Sequence, residues 1–258
     1  MLAQQRQAAI LDRVRTNGAV KVSDLVAEFS VSDMTVRRDL EVLADRGLLA
    51  KVHGGATAVH PGSTDEPGFA AKAIRQRAEK SAIAARASQL VKPGTAIALS
   101  AGTTTAELAQ RLIDVPELTV VTNSIPVADV FYRAGRTDQT VVLTGGVRTP
   151  SDALVGPVAV AAIRSLHLDV LFLGVHGMSE RAGFTTPNLM EADTDRALVA
   201  AAERLVVLAD HTKWGTVGIS SIAALSDADV LVTDAGLPAA ARTTLTEAVG
   251  DIIVAEPR

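Results

Sequence analysis

The sequence predicts two folds in series: a small helical unit closed by a β-hairpin, and behind it a mostly parallel α/β domain. Three observations predict them. Residues 31–56, VSDMTVRRDLEVLADRGLLAKVHGGA, place a helix cap, an arginine-bearing amphipathic helix and a glycine-tipped hairpin in immediate succession. From Pro93 onward, short β-branched runs alternate with helical ones, and most of the runs are near-continuously apolar, as buried parallel strands are. Between these regions, residues 60–68, HPGSTDEPG, have a linker's Pro-, Gly- and acid-rich composition. The boundaries are therefore 1–59, 60–68 and 69–258.

The first unit is read in order. A helix runs from about Gln4 to Arg15, with Ile10, Leu11 and Val14 on one face and Gly18 as its stop. Val20 and Val22 flank Lys21 in period two, a short strand. Ser23 is placed to cap a second helix through Phe29, with Leu25, Val26 and Phe29 inward. After a turn at Ser30-Val31, Ser32 caps a third helix in which Val36, Leu40 and Leu43 recur at i, i+4 and i+7, and Gly47 ends it. Leu48–Val52 and Ala56–Val59 flank His53-Gly54-Gly55 as a hairpin. Turn, helix and wing in this order make an N-terminal winged helix-turn-helix. In the second domain a long helix is expected over Phe69–Val91. Strands follow at Ala96–Leu99, Leu118–Val121, Thr140–Leu143, Asp169–Leu173, Leu205–Ala209, Val230–Thr233 and Ile252–Val254, with helices at 104–113, 125–134, 153–165, 188–203 and 238–248. The expected architecture is a parallel sheet covered on both faces.

Composition narrows the function. There is no cysteine, so no disulfide framework or thiolate metal site; no cofactor and no metal are expected. No apolar run approaches the roughly 20 residues that span a bilayer, and the polar N-terminus lacks a signal peptide's apolar core. The chain is read as soluble and cytoplasmic, with no membrane partner. Its net charge is −4, but residues 1–60 carry +1 and the remainder −5. Affinity for double-stranded DNA must then come from local placement of charge. On the third helix, with Val36, Leu40 and Leu43 inward, Asp33, Met34, Thr35, Arg37, Arg38 and Glu41 face outward or sideways. Thr35 suits a phosphate or a thymine methyl, and Arg37 or Arg38 can fork onto guanine or clamp phosphate. Lys51 and His53 on the hairpin would lie along the backbone or minor groove. The alternative is a small oligomerisation domain with a solvated arginine pair.

VSDMTVRRDLEVLADRGLLAKVHGGA closely resembles the start of the DeoR family of bacterial transcription regulators, whose pattern is VS-x-x-T-[IV]-R-R-D-L followed by G-x-L-x-R-x-H-G-G-A. Lys51 stands where the family usually has arginine. The resemblance implies that Ser32, Thr35, Arg37 and Arg38 touch DNA, and Asp39 is expected to pair locally.

In the second domain, Ser100-Ala101-Gly102-Thr103-Thr104-Thr105 follows a strand and opens a helix, where backbone N–H groups, the helix dipole and threonine hydroxyls suit a phosphate. A plain helix cap would read the same way. Further polar turns lie at Thr122-Asn123-Ser124, Gly145-Gly146-Val147-Arg148, Gly174-Val175-His176-Gly177 and Asp210-His211-Thr212-Lys213. Ligands of open α/β sheets bind outside the carboxyl ends of the strands. Lys213 is a phosphate partner or a surface lysine. Arg148 is a pocket residue or merely exposed, His176 a ligand contact or a loop histidine, and Glu191 a pocket wall, a helix cap or an arginine partner. AGTTT, VVTNSIPVA, LTGGVR, LVGPVA, DVLFLGVHGM, GFTTPN, EAD and LADHTKWG resemble the family's sensor motifs in order. That sensor domain is similar to ribose-5-phosphate isomerase, and the resemblance implies a phosphorylated sugar as effector. By that analogy Gly102, Thr103, Thr104, Thr105 and Lys213 hold the phosphate, and Asn123, Gly146, His176 and Glu191 line the rest. Ser100 replaces a frequent aspartate, and Asp195-Arg196 a frequent Lys-Arg, which points to a shifted effector preference.

The expected function is a DNA-binding regulator, a repressor of a sugar-metabolism operon, working as a homodimer or homotetramer. An active isomerase needs a base and an acid at the carbonyl. Gly174-Val175-His176-Gly177 lacks the acidic turn of isomerases of this fold, so no enzyme activity is expected. A purely architectural DNA binder would not need the polar turns.

Overall fold

The computed structural model describes residues 2–17, 19–46, 48–52, 54–57 and 68–256. His53, Gly18, Gly47 and all of the 60–68 linker except Gly68 lie outside them. Contacts divide the chain into two units, Met1–Pro61 and Gly62–Arg258.

The first unit comprises α1 (Ala3–Asn17), β1 (Ala19–Lys21), α2 (Val22–Phe29), α3 (Asp33–Asp45), β2 (Ala50–Val52) and β3 (Gly55–Thr57). Ile10, Val14, Val22, Leu25, Val36, Leu40, Leu43, Leu49 and Ala56 form its core. The short β1 comes back as the third strand of the wing, in the order β1-β3-β2, antiparallel throughout. Gly55 is required there: a Cβ on it would sit 2.0 Å from the Val20 carbonyl oxygen. Ser30 adopts the left-handed region, φ 51°, and turns the chain from α2 to α3. Ser23 does not cap α2. The helix begins two residues earlier, with Lys21 at the N-cap and Val22 buried in its first turn.

The second unit comprises α4 (Phe69–Ala73), α5 (Arg77–Ser88), β4 (Ala96–Leu99), α6 (Thr103–Leu112), β5 (Thr119–Thr122), α7 (Ile125–Ala134), β6 (Thr140–Leu143), β7 (Val147–Arg148), β8 (Leu154–Val155), α8 (Pro157–Ile163), β9 (Val170–Gly174), β10 (Gly177–Ser179), β11 (Gly183–Thr186), α9 (Leu189–Ala201), β12 (Leu205–Leu208), β13 (Ser220–Ala223), β14 (Val230–Asp234), α10 (Ala239–Ala248) and β15 (Asp251–Ala255). Seven parallel strands run in the order β15-β14-β12-β9-β4-β5-β6. Side chains of α5, α6 and α7 pack on one face, those of α8, α9 and α10 on the other.

Three expectations are corrected. The helix over 69–91 is broken: Gln76 takes φ 50° and ψ 44° and starts α5 afresh, while Phe69 N–H and the Lys72 ammonium tie α4 to Pro150 and Ser151. The helix over 153–165 begins only at Pro157, because Leu154 and Val155 pair with β7. The sheet is not covered everywhere: all four residues of the edge strand β6 are exposed. A small antiparallel sheet, β10-β11-β13, was not anticipated.

Candidate DNA-reading face and effector crevice

The N-terminus of α3 is built by two hydroxyls. Ser32 accepts the Thr35 N–H at 3.2 Å and its Oγ lies 2.8 Å from Thr35 Oγ1, so Ser32 and Thr35 fix each other and the first turn. The apolar stripe then leaves Met34, Arg37, Arg38 and Glu41 exposed, with Met34 77 % accessible. Two of the cations are held by neighbouring acids. Arg37 pairs with Asp33 one turn back, which raises the guanidinium pKa, and Lys51 reaches across from β2 to Glu41 at 3.1 Å. Arg38 makes no ion pair among the described residues. Asp39 is buried between Arg6 and Gln7 of α1, accepting from both. It fixes α3 from behind and does not face outward.

In the second unit, the order of the sheet reverses between β4 and β9. Chain order runs one way through β5 and β6 and the other way through β12, β14 and β15. In open α/β sheets the place for a ligand is outside the carboxyl ends of the strands at such a switch point. Gly102 caps α6 there, and a Cβ on it would lie 3.2 Å from Thr105 Oγ1, with Gly174 Cα in ordinary contact at 3.9 Å.

Several predicted residues join the strand ends and the turns that follow them. Ser100 is fully buried and accepts the Gly174 N–H at 2.9 Å, joining the ends of β4 and β9. Thr105 is fully buried and donates to the Gly102 carbonyl, while Thr104 is buried and Thr103 half-buried. Asn123 is buried: its Oδ1 accepts the Ala101 N–H at 2.9 Å and its Nδ2 donates to the Leu154 carbonyl. Gly146 has φ 122° and a Cβ there would meet the Val155 carbonyl oxygen at 2.5 Å, so the β7–β8 hairpin demands glycine. Arg148 is exposed and paired with Asp152. His176 is half-buried and its N–H donates to the Thr185 carbonyl. The side-chain cap of α9 is Asn188, and Glu191 accepts the hydroxyls of Thr149 and Thr186 at 2.9 and 3.0 Å.

Lys213 lies in a short turn of 3-10 helix at the end of β12 and shares the local field of Lys80 with Lys72, Arg75 and Asp210. Lys80, unpredicted, is the centre of that group. It is 4 % exposed, donates to the Lys72 carbonyl at 2.6 Å, and burial pushes its pKa down to about 8. Asp210 is buried and is its acidic neighbour, itself held by the backbone and hydroxyl of Thr212. The signal was available in the sequence, since Lys80 shares a stripe with Ile83, Ala84 and Ala87 at i, i+3, i+4 and i+7. β4 and β12 are two strand steps apart, so the Gly102 turn and the lysine group stand roughly 10 Å from each other along the sheet.

A DeoR-like helix-turn-helix domain matches residues 6–61 and the DeoR C terminal sensor domain matches residues 75–235. The chain belongs to the DeoR family. Among its DeoR-type relatives are the HTH-type transcriptional regulator YgbI of Escherichia coli K12, 36 % identical over 99 % of both chains, and the transcriptional repressor AccR of Agrobacterium fabrum, 34 % identical over 90 % of both. The glycerol-3-phosphate regulon repressor of E. coli K12 is 30 % identical over 96 % of this chain and 97 % of its own. Ribose 5-phosphate isomerase A of Methanocaldococcus jannaschii overlaps 53 % of this DeoR-family chain and 54 % of its own at 17 % identity, with a TM-score of 0.39, too low to support any inference. Among the described residues, no helix is long and apolar enough to cross a membrane, and no group of three or more His, Cys, Asp or Glu could hold a metal.

Proposed function

We propose that this DeoR-family chain is a repressor of a sugar-metabolism operon in the cytoplasm, that it binds operator DNA as a homodimer or homotetramer, and that a phosphorylated sugar in the strand-end crevice changes its affinity for DNA. The observation that carries the reading is the cation group around Lys80 and Lys213 at the end of β12, two strand steps along the sheet from the helix start at Gly102. A buried lysine that feels the charges of Lys213, Lys72 and Arg75 against that of Asp210 stands in surroundings that favour an anion. Thr35, Arg37, Arg38 and Lys51 supply the DNA face, with Ser32 holding Thr35 in place, and two copies supply useful affinity because each winged unit buries only a modest area. The regulator reading is preferred to an isomerase because Gly174-Val175-His176-Gly177 brings no carboxylate to the switch point and Glu191 is engaged by two threonine hydroxyls. Coupling between the units is a free-energy difference that must act in both directions. Retardation of an operator fragment, with and without a panel of sugar phosphates, tests it. An operator affinity that no phosphate in the panel alters by more than about twofold would sink the switch.

A further inference from the structure

Helix α4 is the first described element of the second unit, so the chain from the first unit enters the second through it. None of its residues is buried, neither core cluster of the second unit includes one, and Ile74 just after it is 80 % exposed. Apolar burial therefore contributes little to its position. Polar contacts hold it instead. Phe69 donates its N–H to the Pro150 carbonyl at 3.1 Å, the Lys72 ammonium donates to Ser151 Oγ at 2.7 Å, and the Lys80 ammonium donates to the Lys72 carbonyl at 2.6 Å. The turn that receives α4 is fixed in its own right. Thr149 donates to Glu191 of α9 and accepts the Ser151 N–H, and the Asp152 carbonyl accepts the Ile125 N–H of α7. Two forces oppose the docked position of α4. Gln76, at the joint to α5, takes φ 50° and ψ 44°, a left-handed conformation that costs a non-glycine residue free energy. The second force is charge: Lys72 of α4 and Arg75 just after it act on Lys80 together with Lys213, against the one acid Asp210. Like charges brought together repel. A multiply charged anion between Lys80 and Lys213 turns that repulsion into attraction, and the gain lasts only while α4 stays in place.

We infer that, given the anion site proposed above, α4 is a strap that the effector's phosphate fastens, with Lys72 and Arg75 as the cations it carries to the ligand. With the site filled, the strap is held against the turn at residues 149–152. With the site empty, cation repulsion and the left-handed Gln76 lower the cost of its release. Binding then changes where the chain leaves the second unit: near residue 68 when the strap is fastened, near residue 76 when it is free. The anion site thereby acts on the one covalent route to the DNA-reading unit.

The test uses the full-length protein and inorganic phosphate, with binding measured by calorimetry and hydrogen exchange read by mass spectrometry on peptides spanning residues 69–75. Saturating phosphate, compared with potassium chloride of equal ionic strength, should slow exchange of this segment about tenfold, about the effect of one hydrogen bond to a charged group. Gln76→Pro fixes φ near −65° and forbids the docked turn. Its segment should exchange fast with and without phosphate, and it should bind phosphate more weakly by the same factor, because the coupling is reciprocal. Thermal denaturation reports whether the variant folds. If it does not, Ser151→Ala removes the acceptor of the Lys72 ammonium and should speed exchange of the segment about tenfold, with phosphate slowing it again. Phosphate that binds without slowing exchange at 69–75, a folded Gln76→Pro protein that binds phosphate as tightly as the wild type, or a Ser151→Ala protein with unaltered exchange overturns the strap and leaves the anion site standing. Failure of the wild type to bind phosphate overturns the anion site and the strap with it.

Discussion

Neutralising Glu41 should tighten DNA binding. Glu41 lies on the outward side of α3 and holds Lys51 of the wing at 3.1 Å, with side chains 61 % and 48 % exposed. An exposed pair of this kind contributes about 0.2–1 kcal/mol, so Glu41→Gln should leave folding stability within about 1 kcal/mol of the wild type. On DNA the balance differs. The pair must open before Lys51 can meet a phosphate, and a carboxylate about 7 Å from a phosphate repels it by about 0.6 kcal/mol even at the dielectric constant of water. Together these come to about 1 kcal/mol, roughly a fivefold lower Kd. Fluorescence anisotropy of a labelled duplex measures it, and the gain should shrink between 50 and 200 mM salt because it is ionic. Measured against Lys51→Ala alone, the double variant Glu41→Gln/Lys51→Ala should keep only the part of the gain that comes from relieved repulsion, which assigns the rest to the lysine. A folded Glu41→Gln protein that binds DNA no better than the wild type would show that this side of α3 and the wing do not face DNA together.

Three other outcomes are expected. Arg37→Ala should weaken operator binding and, if Arg37 clamps phosphate, lower the slope of log affinity against log salt by about one; unchanged affinity removes Arg37 from the DNA face. Lys80 has a folded pKa of about 8, below its unfolded value of 10.5, so the stability cost of keeping it charged is full below pH 8 and is relieved as pH rises from about 8 to 10.5. Phosphate favours the charged form, so inorganic phosphate should bind more weakly above pH 8 and take up a proton when it binds there. Calorimetry in buffers of different ionisation enthalpy reads the proton, and its absence detaches Lys80 from the anion. Asn123→Ala leaves the Ala101 N–H without its acceptor and the Leu154 carbonyl without its donor, and should cost about 1–3 kcal/mol in urea denaturation, whereas a loss below about 0.5 kcal/mol means these bonds are readily replaced.

Much of the fold was legible because most of its elements are periodic over four residues or more. Ala96–Leu99, Thr140–Leu143 and Ile125–Ala134 have the bounds that their apolar runs predict, and Ser32 caps α3 as its place before the helix implies. The pieces that escaped are those without a period. β7 and β8 have two residues each and are defined by partners across a hairpin, not by pattern. The break at Gln76 carries neither glycine nor proline; it depends on contacts of α4 with residues 150 and 151, far away in sequence. The strand-end turns announced a crevice but not the division of labour within it. Ser100, Thr105 and Asn123 are polar because two strand ends and a helix start must be joined, and their hydrogen bonds run inward. Lys80 was hidden for the opposite reason, since a lysine on an apolar stripe reads as an interruption until the topology brings Asp210 and Lys213 to it.

The way α3 is anchored bears on how its reading of DNA could be rewritten. Of its thirteen residues, Val36, Asp39, Leu40 and Leu43 are buried, three in the core and one against Arg6 and Gln7. Met34, Arg37, Arg38 and Glu41 carry almost none of that packing. The helix thus keeps its scaffold and its lettering on separate sides. A library varied at those four positions should consist mostly of folded proteins, whereas one that includes Asp39 would lose members to misfolding before any operator was sampled.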